Sequence, residues 1–114
     1  DGTPLETLAH PQSRRVMSAE NVALLRKMLQ RVVEEGTAQD AAWLEEGAGG
    51  KTGTAQTGQF TPDGTERKNL WFAGFYPAQQ PRYTIVVLQD GQVSTEHSSA
   101  AIFARLCAML DLLA

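Results

Sequence analysis

The sequence predicts an α+β fold in which a three-stranded antiparallel sheet is flanked by helices. Two runs rich in aromatic and β-branched residues, 69–76 and 82–89, have the length of strands and are separated by a tight connection between two prolines. Apolar residues recur at three- and four-residue steps before and after this region, over 22–33 and 98–113. The predicted order is therefore helix, short helix, three strands and helix.

The first 17 residues are predicted to be extended or loop, because Pro4 and Pro11 interrupt them. Asp1-Gly2 is a turn pair that lacks the strand a hairpin needs on its first side. The first residue is also not Met, so we interpret residues 1–114 as a fragment of a longer chain.

A helix is predicted to begin after Ser18, whose side-chain oxygen suits a helix N-cap, with Glu20 in the first turn where the helix dipole favours negative charge. Gly36 is expected to end this helix, and Thr37 to cap a second, short helix over 38–44. The apolar residues of the first helix are Val22, Leu25, Leu29, Val32 and Val33.

The first strand is predicted over 51–56, and the polar segment 57–68 is predicted to be a hairpin loop because it contains Pro62-Asp63-Gly64. The other two strands carry apolar residues on both alternating faces, which predicts a sheet that is covered on both sides. The last helix, over 98–113, is expected to dock on that sheet.

Composition limits the classes of function. The chain has 114 residues, Lys+Arg 10 against Asp+Glu 13, a net charge of -3 and 42% hydrophobic residues, which is typical of one small globular domain. Because there is no basic run, nucleic acid is not an expected partner. The single cysteine, Cys107, excludes an internal disulfide, and together with His10 and His97 it does not form a zinc site. No metal or organic cofactor is predicted.

The segment 50–56, Gly-Lys-Thr-Gly-Thr-Ala-Gln, is the motif that can carry chemistry. A phosphate-binding loop would need glycine five residues before Gly50, but Glu45 stands there, and its carboxylate would repel phosphate. The second interpretation is a strand beside an acyl-transfer site, because glycine within a strand marks close approach of another backbone. Lys51 would then supply positive charge beside an extended peptide.

The ordered set of segments 32–38 (VVEEGTA), 50–56 (GKTGTAQ) and 71–77 (WFAGFYP) resembles the C-terminal part of the transpeptidase domain of penicillin-binding proteins. The Thr-Ala-Gln continuation is most similar to the monofunctional, class B type. The resemblance runs over nearly the whole chain. It implies that residues 1–114 are the C-terminal portion of that domain, a fragment of the β-lactamase/transpeptidase-like fold.

The resemblance also implies roles for the Lys-Thr-Gly-Thr residues at the edge of a five-stranded sheet. Lys51 and Thr54 would be catalytic: Lys51 would polarise the hydroxyl network, and the Thr54 N–H would be one of two oxyanion donors. Lys51, Thr52, Gly53 and Thr54 would bind substrate, with Gly53 allowing close passage of the peptide.

Two other family elements are absent. Five serines stand outside the motif, and none is followed by lysine at the third position or asparagine at the second: Ser13, Ser18, Ser94, Ser98 and Ser99. The S-x-x-K serine is the nucleophile of the family. This sequence alone is therefore expected to be inactive.

What the resemblance implies for the complete protein is a peptidoglycan D,D-transpeptidase that forms a serine acyl-enzyme and also binds β-lactams, at the outer face of the bacterial cytoplasmic membrane. Its partners would be the stem peptide and the rest of the transpeptidase domain. Bare sheet edges also allow a strand-paired or intertwined homodimer of the fragment. The alternatives are a non-catalytic binding or assembly piece, or a D-Ala carboxypeptidase or β-lactamase-like hydrolase.

Other chemistry-bearing residues have simpler explanations. His97 is expected to face water near the start of the last helix rather than to join Ser94 and Asp90 in a triad, and Cys107 is expected to be a small buried hydrophobe. The glutamate pairs at 34–35 and 45–46 are expected to be solvated. Four aromatic residues are expected to be core residues, and the alternative for one of them is a ligand platform: Trp71, Phe72, Phe75 and Tyr76.

Overall fold

The computed structural model describes residues 2–3 and 12–113, and it has the predicted α+β architecture. The predictions for Asp1, Pro4, His10 and Pro11 lie outside the described residues. The strands form one antiparallel sheet in the order β1-β2-β3. The elements are α1 (Ala19–Glu34), a 3₁₀ turn (Gln39–Ala41), β1 (Gly49–Phe60), β2 (Glu66–Tyr76), β3 (Tyr83–Gln92) and α2 (Ser99–Leu113).

Helix α1 begins as the sequence predicts, because the Ser18 hydroxyl accepts a hydrogen bond from the Asn21 N–H at 3.2 Å. Its apolar stripe, however, is only partly buried. Val33 is buried near the C-terminal end, whereas Val22 and Leu25 are 40% and 42% exposed. The C-terminal half of α1 therefore provides most of its packing.

The short second helix is smaller than predicted and is not capped by Thr37. It is a three-residue 3₁₀ turn whose N-cap is Ala38, with no side-chain cap hydrogen bond. Thr37 instead bonds to Thr52 across the molecule. Burial fixes this segment, because Ala38, Ala41 and Leu44 lie in the core.

Strands β1 and β2 extend well into the segment 57–68 that was predicted to be a loop, which corrects that prediction. The pairing shifts register between Gln56 and Phe60, where Gly58 has a φ of +70°, so a bulge lets the polar hairpin continue. Around the tip, the hydroxyl of Thr61 donates to Asp63, and the Thr65 N–H also donates to that carboxylate. These hydrogen bonds lower the pKa of Asp63, and the bond from the Thr61 hydroxyl has the largest effect.

The core lies on one face of the sheet. Phe72 of β2 and Phe103 of α2 are both fully buried, with ring centroids 4.8 Å apart and planes at 59°. The opposite face of the sheet exposes apolar side chains: Trp71 is 39%, Val86 59% and Leu88 44% exposed. The prediction of a sheet covered on both sides is therefore wrong for the part of the chain that the structure describes.

Helix α2 is joined to the rest of the fold at both ends. The Ser98 hydroxyl accepts from the Ala101 N–H at 3.1 Å and donates to Asp40 in the 3₁₀ turn. Near the other end, the Tyr76 hydroxyl donates to Asp111. Burial is the larger cause, and this hydrogen bond the second, that raises the pKa of Tyr76. Among the described residues, no helix is both long and apolar enough to cross a membrane.

Candidate functional site

The Lys-Thr-Gly-Thr residues lie in the first half of β1, which forms one edge of the described sheet. The strand enters the sheet through two buried glycines that leave no room for a side chain. A Cβ at Gly49 would lie 2.3 Å from the Phe75 ring, and one at Gly50 would lie 2.4 Å from the Phe72 ring. The glycines therefore seat β1 directly against β2, and the strand emerges to the surface at Lys51.

Lys51 and Thr52 form a small polar group at this point. The Lys51 ammonium donates to the Thr52 carbonyl at 3.0 Å and lies 3.4 Å from the Thr52 hydroxyl. The Thr52 hydroxyl is also 2.9 Å from the hydroxyl of Thr37, in the connection after α1. Three side chains from two parts of the chain therefore meet at the strand edge.

The next two residues are open to solvent. Gly53 pairs with Trp71 and Thr54 pairs with Leu70 in the antiparallel register. Both Gly53 and Thr54 are exposed. Since successive strand residues point to opposite faces, Lys51 and Gly53 belong to one face and Thr52 and Thr54 to the other.

The start of β1 is held by the β2–β3 connection and by α1. The Ala78 carbonyl accepts hydrogen bonds from Gln30 at 2.9 Å and from Arg26 at 3.2 Å, and Arg26 also reaches the Gln79 carbonyl at 2.9 Å. The Ala78 N–H donates back to the Gly47 carbonyl at 3.1 Å, two residues before β1. These bonds fix where β1 enters the sheet.

The sequence pattern did not reveal Arg26, Gln30 or Thr37 as parts of this framework, since each contacts a residue distant in the chain.

Within the described part of the chain, His97 and Cys107 do not form a second site. His97 is half-exposed and lies 3.9 Å from the adjacent Glu96. Cys107 is buried as predicted, and burial is the main cause that raises the pKa of its thiol to about 12, so it is a poor nucleophile. Among residues 2–3 and 12–113, no cluster of three or more His, Cys, Asp or Glu side chains could hold a metal ion.

The predicted glutamate and aromatic positions divide between surface and core. Both glutamate pairs are exposed, which confirms that prediction. Phe72 and Tyr76 are core residues as predicted, but Trp71 is exposed and Phe75 is half-buried beneath Arg26, whose guanidinium carbon is 5.9 Å from the ring centroid. A surface hollow of about 680 Å³ is lined in part by Glu34, Glu45 and Glu46. None of residues 51–54 lines it.

Comparison with known proteins gives consistent results. A family model described as the penicillin binding protein transpeptidase domain matches residues 6–108. Penicillin-binding protein PbpB of Mycolicibacterium smegmatis is 38% identical over 101 residues, which cover 79% of this chain and 15% of that protein. The peptidoglycan D,D-transpeptidase FtsI homolog of Chlorokybus atmophyticus is 37% identical over 82 residues, covering 69% of this chain and 12% of that protein.

Solved structures agree with the sequence relatives. Penicillin-binding protein 3 of Mycobacterium tuberculosis, in complex with ampicillin, matches with a TM-score of 0.72 and 30% identity over 95% of this chain and 27% of that one. The transpeptidase domain of Burkholderia pseudomallei penicillin-binding protein 3 matches with a TM-score of 0.60 and 29% identity, over 87% of this chain and 33% of that one. The chain thus spans a minor part of the length of its relatives.

Proposed function

Because this chain belongs to the penicillin-binding protein transpeptidase family, we propose that it forms one wall of the active site of a serine D,D-transpeptidase that cross-links peptidoglycan stem peptides. The full-length polypeptide would then contain this sequence as the C-terminal portion, residues 1–114, of its transpeptidase domain. The S-x-x-K serine and the S-x-N element would come from the rest of that domain.

The observation that carries this proposal is the edge strand with its exposed cation. In the described sheet, β1 pairs with β2 on one side, so its other edge can accept an extended peptide as an added strand. Lys51 and Thr52 place an ammonium and a hydroxyl beside that edge. Both groups are hydrogen-bond donors suited to the C-terminal carboxylate of a D-Ala-D-Ala stem peptide.

The proposed reaction passes through an ester. The serine oxygen attacks the carbonyl of the penultimate D-Ala, the amide C–N bond breaks, and the terminal D-Ala leaves as an amine that takes up the serine proton. An amine of a second stem peptide then attacks the ester, the C–O bond breaks, and the serine regains a proton. A β-lactam would acylate the same serine by opening its ring.

Residues of this chain would assist each step without bonding covalently to the substrate. Lys51 would stabilise negative charge and polarise the hydroxyls around the serine. Thr52 and Thr54 would hold the substrate carboxylate or the peptide stem, and Gly53 would let the stem pass close to the strand. The Thr54 N–H would be one of the two donors to the oxyanion.

Labelling with a fluorescent penicillin tests this proposal. We expect the full-length polypeptide to form a covalent, denaturation-resistant adduct, and the 114-residue chain alone to form none because the nucleophile is supplied elsewhere. A serine-to-alanine variant of the S-x-x-K element provides the control that must also lose the adduct. Labelling of the 114-residue chain, or a full-length polypeptide that does not label, would contradict the proposal.

The fragment on its own is proposed to self-associate through its sheet. In the described residues β1 and β3 each have a strand neighbour on one side, and the exposed face of the sheet carries the apolar side chains of Trp71, Val86 and Leu88. Unpaired edges and apolar patches favour association. We expect small-angle scattering at high protein concentration to give the mass of a dimer, and the mass of a monomer would contradict this.

In the cell, the full-length protein is proposed to act at the outer face of the cytoplasmic membrane.

A further inference from the structure

The connection that follows α1 places a hydroxyl against the proposed carboxylate-binding threonine. Thr37 Oγ1 is 2.9 Å from Thr52 Oγ1, although the two residues are 15 positions apart. Exposed hydroxyl pairs of this kind persist only where the backbone holds both partners, because water competes for each hydroxyl.

The backbone on both sides of Thr37 is held firmly. The N–H groups of Gly36 and Ala38 both donate to the Val32 carbonyl at 3.1 Å. A Cβ at Gly36 would lie 2.9 Å from that same carbonyl oxygen, so the turn depends on glycine. Ala38 is fully buried, which anchors the far side of Thr37 in the core. The backbone position of Thr37 is therefore set by the fold.

Hydrogen-bond directions at Thr52 follow from the donors around it. The Lys51 ammonium can only donate, so at 3.4 Å it uses the Thr52 oxygen as an acceptor. The single proton of the Thr52 hydroxyl then has two uses: it can be given to Thr37, or it can be given to a ligand while Thr37 donates to Thr52. The second arrangement satisfies all of the hydroxyl groups only when an acceptor such as a carboxylate is bound.

We propose that Thr37 is a positioning residue that orients the Thr52 hydroxyl toward the carboxylate of the ligand. This inference rests on the proposed function, and it adds a residue outside the Lys-Thr-Gly-Thr strand. Thr37 acts through Thr52 and does not itself touch the ligand. Its contribution should therefore depend on whether the ligand carries a negative carboxylate.

The test uses the full-length polypeptide and two acylating compounds, a penicillin and the methyl ester of the same penicillin, which lacks the anionic carboxylate. For Thr37→Val we expect the second-order acylation rate constant to fall about fivefold with the penicillin, which corresponds to the loss of one ordinary hydrogen bond. The rate constant with the ester should stay within about twofold of wild type, because Thr37 acts through the carboxylate contact. Thr37→Ser should restore the rate with the penicillin.

Controls separate this role from a structural one. Thr84→Val makes the same change at an exposed strand threonine, and it should alter neither rate constant. Thr37→Ala repeats the loss of the hydroxyl with a smaller side chain. Equal loss with both compounds, or no loss in either Thr37 variant, would overturn the role of Thr37. A wild-type polypeptide that reacts with neither compound would instead contradict the proposed function.

Discussion

Replacing Gly50 with alanine is expected to lower the free energy of unfolding of the 114-residue chain by about 2 kcal/mol. The new Cβ would lie 2.4 Å from the Phe72 ring, 2.6 Å from the Ala73 carbonyl oxygen and 2.9 Å from the Gly74 Cα. Two of these three neighbours are backbone atoms of the paired strand. The ring cannot move aside either, because Phe72 is fully buried against Phe103. Strand β1 must therefore shift away from β2.

Gly53→Ala is the matched control within the same strand. A Cβ at Gly53 would lie 3.4 Å from the Trp71 Cβ, at an exposed position, so we expect a change of less than about 1 kcal/mol. Urea unfolding followed by tryptophan fluorescence and by circular dichroism measures both variants. Equal stability of the two variants would contradict the tight seating of β1 at Gly50. The expected shift also carries Lys51 with it, so the packing of one glycine affects the candidate site.

The helix and strand order could be predicted from the sequence because local signals agree with tertiary packing in most of the chain. Ser18 is the N-cap of α1 in the sequence prediction and in the structure, because capping depends on residues only three positions apart. The aromatic run of β2 likewise pairs with β3, as the two strand-length runs and the tight connection between them predict. In these elements the residues that decide the structure are neighbours in the sequence.

The hairpin and the exposed sheet face could not be predicted in this way. The turn signal Pro62-Asp63-Gly64 favours a loop over the whole polar segment, but cross-strand bonds such as that from the Thr57 hydroxyl to the Arg67 carbonyl hold residues 57–60 in β1. Apolar residues on both faces of a strand indicate that burial of both faces is favourable, but they do not specify which element packs on each face. Val86 and Leu88 are exposed because no described element packs on them.

The candidate site was only half accessible from the sequence. Lys51 to Thr54 stand out as one continuous motif, and the structure places them at a sheet edge. Thr37 is predicted to be a helix cap because threonine is a favoured N-cap residue and Gly36 ends the preceding helix. Its contact with Thr52 depends on how α1 lies relative to β1, which is a property of the packed fold.

Lys51→Ala is expected to reduce the rate of penicillin acylation of the full-length polypeptide by about 100-fold, because a hydrogen bond from a charged group contributes about 1.5–3 kcal/mol. The ammonium lies at the strand edge, where it donates to the Thr52 carbonyl and neighbours the Thr52 hydroxyl. Its removal takes away the positive charge and the donor to that hydroxyl together. The rate is measured by time-resolved labelling with a fluorescent penicillin.

Lys51→Ala should not destabilise the fold, so a lower acylation rate would reflect the loss of the ammonium and not a loss of stability. Lys51 is exposed, so the thermal midpoint of Lys51→Ala should stay close to that of wild type. Lys68→Ala is the matched control: it removes an exposed lysine from β2, opposite Gln56, and should label at the wild-type rate. Lys51→Ala that labelled as fast as Lys68→Ala would show that the positive charge at this edge plays no part in acylation. Because both variants change net charge equally, a rate difference between them would come from the position of the ammonium beside Thr52.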